Sequence, residues 1–169
     1  MSRESALKEP INLNEIPSTE EEALQLYIGE KYDYYKKKWS IGRNRKPALV
    51  SFNVGGFFGT FWWSAGRAMY LYASFFFLFM FLADLLFLLT GYEVWEDSIY
   101  PTVGLVVYGL FGNYNYYYYA MKKVKKMMGE NRSRREIIAA GGFRWRRFFA
   151  CIGLTFIYFL FSVFVLGIG

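Results

Sequence analysis

Histidine is absent from this chain of 169 residues. That excludes histidine triads, histidine metal sites and imidazole proton shuttles. Cysteine occurs once, as Cys151, so an intrachain disulfide and any CxxC zinc or redox motif are excluded as well. There is no P-loop, no GxGxxG stretch and no pair of catalytic carboxylates, which leaves enzyme chemistry without residues to run on. The expectation is a protein that is not an enzyme and needs neither cofactor nor metal. Charge is also missing, but in blocks. Ala48–Gly66, Ile99–Met121 and Phe148–Ile168 contain none, and Ala68–Thr90 contains only Asp84.

What is present fits those gaps. Hydrophobic residues make up 54% of the chain and aromatic ones 22%, with 18 Phe, 15 Tyr and 5 Trp. A water-soluble domain of this size has too much surface to hide so many rings. Yet the mean hydropathy is only +0.13, so polar and apolar stretches alternate. The composition predicts a small all-helical integral membrane protein.

The polar blocks set its organisation. Residues 1–30 carry Arg3 and Lys8 against seven Glu, a net −5. Pro10 and Pro17 break any early helix, and Ser18-Thr19-Glu20-Glu21 reads as a capping box with Ser18 as N-cap. A helix to about Gly29 would bury Ala23, Leu24 and Tyr27 or Ile28. No basic-then-apolar leader opens the chain, so no signal peptide is expected. Residues 31–46 carry seven Lys/Arg against Asp33, interleaved with Tyr32, Tyr34, Tyr35 and Trp39. That pattern predicts a helix on a membrane surface, rings at the headgroups and Lys36, Lys37 and Lys38 on anionic lipid. The division is therefore a cytoplasmic region, 1–46, and a membrane domain, 47–169.

At about 1.5 Å per residue, 68–90, 99–121 and 148–168 are each long enough to cross a hydrocarbon core of ~30 Å. Residues 122–147 hold ten Lys/Arg against Glu130 and Glu136, whereas 91–98 hold only acids. Basic connections stay in the cytoplasm. Hence 122–147 lies inside, with Lys122, Lys123, Arg146 and Arg147 facing lipid headgroups, and 91–98 lies outside. The N-terminus is then cytoplasmic and the C-terminus extracytoplasmic. Block 31–46 must also stay inside, so 48–66, with Gly55, Gly56 and Gly59, is expected to re-enter or lie on the inner face. A fourth full span is the alternative.

Four stretches resemble a known family, the bacterial small membrane proteins catalogued as domain of unknown function 2628. They are Tyr27-Ile28-Gly29-Glu30-Lys31-Tyr32-Asp33-Tyr34-Tyr35 with the lysines and Trp39 that follow; Phe52-Asn53-Val54-Gly55-Gly56-Phe57-Phe58-Gly59-Thr60-Phe61-Trp62-Trp63 with Arg67-Ala68-Met69-Tyr70; Gly112-Asn113-Tyr114-Asn115-Tyr116-Tyr117; and Gly141-Gly142. They fall in order over about residues 24–165. Thr60 stands where the family's box has proline, and the histidine expected after the paired tyrosines is missing. The resemblance implies a bacterial cytoplasmic membrane setting and carries no implication about activity, substrate or cofactor.

Candidate sites are few. Asp84 is the one charge inside an expected span; Tyr108 or Ser162 would reach it by depth. A buried hydrogen bond or a snorkelling carboxylate is the preferred account, and proton or cation binding the alternative. Asn113 and Asn115 should bond across to another helix, with Thr155 at the depth of Asn113; lining a pore is the alternative. Gly55 and Gly59 have the spacing of a close helix contact, and Gly112 marks another. Tyr116–Tyr119 and Trp62-Trp63 read as an interfacial belt rather than a cation cage. The basic loop is explained by anionic lipid without nucleic acid. The function expected is that of an accessory or scaffold protein contacting lipid or a partner, a second copy or another membrane protein. A small oligomeric channel or transporter component, with a polar path near Asp84, Asn113 and Asn115, is the alternative.

Overall fold

The computed structural model describes residues 12–41, 47–91, 102 and 104–166, and among these every regular element is helical. In chain order they are α1 (Glu20–Ile28), a 3-10 turn (Gly29–Lys31), α2 (Tyr32–Trp39), α3 (Val54–Gly66), α4 (Tyr70–Thr90), a π-helical stretch (Leu105–Leu110), α5 (Gly112–Gly129), α6 (Arg134–Ala140) and α7 (Trp145–Phe164). The chain forms two compact units: residues 1–30 with 120–142, and residues 31–119 with 143–169.

The smaller unit is built on charge and capping. The N-cap of α1 is Thr19, one residue later than expected. Its hydroxyl accepts from the Glu22 N–H, while the Glu22 carboxylate takes the Ser18 N–H and hydroxyl at 2.8 Å each. Both residues of Ser-Thr can cap; Glu22, three residues after the Thr19 cap, is the acid that reaches back, and it reaches to Ser18 rather than to Thr19. Ala23, Leu24, Tyr27 and Ile28 form the buried face of α1. On the other side of the sequence, α6 opens with a capping box of Ser133 and Glu136 and buries Ile137. Arg134 ties the two parts together, its Nε on Glu22 at 2.8 Å and its Nη1 on Glu15 at 2.7 Å. At the end of α6 the Gly142 N–H donates to the Tyr27 carbonyl at 2.7 Å. A Cβ at Gly141 would collide with that same carbonyl, so only glycine allows the approach.

In the larger unit, α4 and α7 occupy the expected spans 68–90 and 148–168, the last residues of the latter lying outside the described ones. The apolar window of α4 has a mean hydropathy of 2.2 and is 22% buried; that of the helical run ending at Phe164 has 1.9 and is 11% buried. These two helices are long and apolar enough to cross a membrane. Their low burial means that Leu71, Phe75, Leu89, Ile157 and Phe164 present bare hydrocarbon outward, which water disfavours at roughly 25 cal/mol per Å².

The stretch expected as one α-helix over 99–121 departs from that reading. Residues 92–101 and 103 lie outside the described ones. From 105 the chain is π-helical to Leu110, and α5 then runs eight residues past Met121, carrying the lysines. The break has a visible cause. The Ser51 N–H donates to the Leu110 carbonyl at 3.0 Å and the Asn53 N–H to the Gly109 carbonyl at 2.8 Å, so a neighbouring segment takes acceptors a regular helix would use itself.

Within segment 48–66 the helical part, α3, starts at Val54 and consists of two helical pieces that meet at a break. The break is at Thr60, with φ 41° and ψ −128°. A β-branched residue there is strained, and a proline ring, fixed near −65°, is excluded. Phe61 stacks on Phe76 at 4.4 Å, and both join Ala65, Ala73, Tyr108 and Cys151 in the core of this unit.

Candidate functional site

Three polar knots sit among the apolar helices of the larger unit. The first surrounds Asp84 on α4, which is 1% exposed. Its Oδ2 accepts from the Tyr158 hydroxyl and, at 2.6 Å, from Ser162 Oγ, both on α7. Tyr158 and Ser162 are one turn apart and share a face, so the pair clamps one carboxylate oxygen. Oδ1 is buried with no hydrogen-bond partner among the described residues. Ser162 is where depth placed it. Tyr108 is not: its hydroxyl donates to the Tyr72 carbonyl at 2.7 Å, because that turn of α4 lies opposite the π-helical stretch. Tyr158 was missed, and its signal was its i−4 spacing from Ser162.

The second knot gathers around the helix break. Asn113 Nδ2 lies 3.1 Å from Ser51 Oγ and 3.2 Å from the Ser51 carbonyl, and its own carbonyl accepts from Trp39 Nε1 at 2.8 Å. Asn53 caps α3 by accepting the Gly56 N–H at 3.0 Å. Thr155 does not pair with Asn113. It accepts from Trp62 Nε1 at 2.9 Å and donates to the Cys151 carbonyl at 2.8 Å, the habit of a helical threonine. Asn115 is half-buried two residues further on.

The glycines divide in the same region. A Cβ at Gly112 would press on Asn53 Nδ2 at 3.0 Å. Gly55 and Gly59 make room chiefly for Trp63 of their own helix, at 3.1 and 2.9 Å, with Phe148 of α7 also 3.8 Å from Gly59. The backbone approach between elements is instead at Gly56, where a Cβ would collide with the Tyr108 carbonyl oxygen.

The third knot was not foreseen. Arg67, 6% exposed, lies between rings: its guanidinium carbon is 4.9 Å from the Tyr116 centroid, 5.2 Å from Tyr35 and 5.7 Å from Phe143. Nη1 donates to the Tyr116 hydroxyl at 3.1 Å and Nη2 to the Tyr35 hydroxyl at 3.4 Å. Burial pushes the Tyr35 phenol up, which keeps it neutral beside the cation. Tyr116 is fully buried and Trp63 nearly so; they serve this interior rather than an interfacial belt. Likewise Tyr32, Tyr35 and Trp39 of α2 turn into the protein instead of toward headgroups. The sequence placed Arg67 only at the edge of a span because it stands between two apolar runs.

Of the expected lipid-facing cations, Lys37, Lys122, Lys123 and Arg146 are exposed. Lys36 and Lys38 are half-buried, 5.6 Å over Tyr32 and 5.8 Å over Tyr34. Arg147 is half-buried. Among the described residues no group of acids and cysteine could hold a metal ion. No protein-family model, no curated protein and no solved structure matches the chain.

Proposed function

We propose that the chain is a non-enzymatic accessory or scaffold protein of a bacterial cytoplasmic membrane, crossing it three times, with α3 folded back on the inner side. The same reading takes up the resemblance to the family of unknown function and its cellular setting. The observation that carries it is how the polar groups of the apolar helices are used. Asp84 is held by Tyr158 and Ser162, Thr155 by Trp62, and Asn113 by Ser51. The first two tie one helix to another and the third ties α5 to the segment leading into α3, as polar side chains do when lipid offers them no alternative. A conducting path would need them to face a shared water-filled space instead. The exposed cations Lys37, Lys122, Lys123 and Arg146 meet anionic headgroups or a protein partner under this reading.

One pair of observations favours the second reading, a small channel or transporter component. Two interrupted helices meet where Thr60 Cγ2 presses on Gly104, 3.1 Å from where a Cβ would sit, and broken helices line many transport sites. The orphan Oδ1 of Asp84 would be its cation ligand. Flux of protons and potassium into liposomes carrying the purified chain separates the readings. The accessory role expects flux equal to that of empty liposomes. Flux above that level, lost in Asp84→Asn, would replace it with the channel.

A further inference from the structure

Arg67 and Arg147 share an unusual situation. Neither forms an ion pair among the described residues, and each has a buried nitrogen without a partner, Nε of Arg67 and Nη1 of Arg147. Ser64 Oγ, 1% exposed and one turn before Arg67 on α3, is unpartnered too. Ser64 and Arg67 stand at the end of α3 and Arg147 in the first turn of α7, and those two ends meet at one corner. The Arg144 N–H donates to the Gly66 carbonyl at 2.9 Å, and Phe143 packs on Gly66, which joins the start of α7 to the end of α3. From there Phe148 approaches Gly59, Cys151 packs with Phe61 and Ala65, and Thr155 bonds Trp62. Residues 144, 148, 151 and 155 thus lie along α3, and Arg147 falls on the same face by helical spacing.

We propose that this corner binds one phosphate-bearing anion, through Arg147 and the free Nε of Arg67 with Ser64 as a third donor. A guanidinium stays charged at any physiological pH and cannot relieve its burial by losing a proton. Ring faces and the C-terminal carbonyls of α3 offset part of that charge at Arg67. What is left over is positive charge with outward hydrogen-bonding capacity from two arginines and a hydroxyl, the donor set that suits a phosphate's several oxygens. Arg147, half-buried, is the movable member and the way in. The corner lies just before Tyr70, where α4 begins, the level at which a membrane presents its phosphates. In this respect the inference rests on the membrane reading of α4. An anionic phospholipid headgroup and free phosphate share the chemistry.

The test uses the full chain in a neutral detergent, with its unfolding temperature followed by tryptophan fluorescence. Short-chain phosphatidylglycerol is expected to raise that temperature by roughly 5 °C, phosphatidylcholine not to, and Arg147→Gln to lose at least half of the rise. A rise of the same size from inorganic phosphate alone assigns the site to free phosphate; no rise from it assigns the site to lipid. Equal rises from the two lipids, or an undiminished rise in Arg147→Gln, overturn the proposal. Should Arg147→Gln lose its helical circular dichroism, Ser64→Ala is judged by the same criterion. Flotation of the wild type with phosphatidylcholine vesicles separates the two claims. A chain that does not float defeats the membrane reading. One that floats but ignores phosphatidylglycerol defeats only the site.

Discussion

Gly56 and Gly153 are both glycines inside helices, yet their surroundings differ completely. A side chain at Gly56 would run into the Tyr108 backbone, whereas nothing lies within 4 Å of one at Gly153. Backbone cannot retreat as a flexible side chain can, so Gly56→Ala is expected to force α3 off the π-helical stretch and to cost more than about 3 kcal/mol. Gly153→Ala should be neutral within about 0.5 kcal/mol. Denaturant titration in micelles checks both; a Gly56→Ala as stable as Gly153→Ala would show that the close approach does not exist. Residue by residue, what sequence reveals is rarity. Asp84 stood out as the lone charge of an apolar run, and a serine at matching depth proved to be its partner. Tyr158 and Arg67 did not stand out, one being a tyrosine among fifteen and the other a cation at a segment edge.

Elements were legible where hydrophobic length alone fixes them, as in α4 and α7. They were not where one element depends on another. The π-helical stretch exists because Ser51 and Asn53 take its carbonyls, a pairing across more than fifty residues that no local pattern announces. The docking of α6 on α1 was equally hidden, because Arg134 read as one basic residue among ten rather than as the partner of Glu15 and Glu22. That docking carries a pH signature. The Glu22 carboxyl is held below its ordinary value of 4.5, first by the Ser18 backbone N–H and then by the Ser18 hydroxyl and Arg134. Glu136 is lowered as well, chiefly by Arg132. A group whose folded value is depressed contributes stability that is present above the unfolded value and lost as pH falls through the folded one. Amides of α1 and α6 should therefore lose exchange protection on going from pH 6 to pH 3, after correction for intrinsic rates, and Glu22→Gln should shrink the difference. Equal protection at both pH values would mean that the carboxylates do not hold the two helices together.

For the molecule as a whole, the charge pattern says more than the helices can. Length and composition make α4 and α7 able to cross a membrane; under the proposed topology the ten cations of 122–147 stay inside, which requires the interrupted helix between them to cross as well. If 99–121 did not cross, α4 and α7 would run with opposite sense and the basic loop would face outward, against the positive-inside bias. Cysteine accessibility in intact cells, on a Cys151→Ser background with single cysteines at Ser2, Ser98 and Gly169, reads this directly. Three spans with the N-terminus inside require Ser98→Cys and Gly169→Cys to react with an impermeant maleimide and Ser2→Cys to be protected until the cells are opened. A labelled Ser2→Cys, or protection at Ser98→Cys, would contradict it.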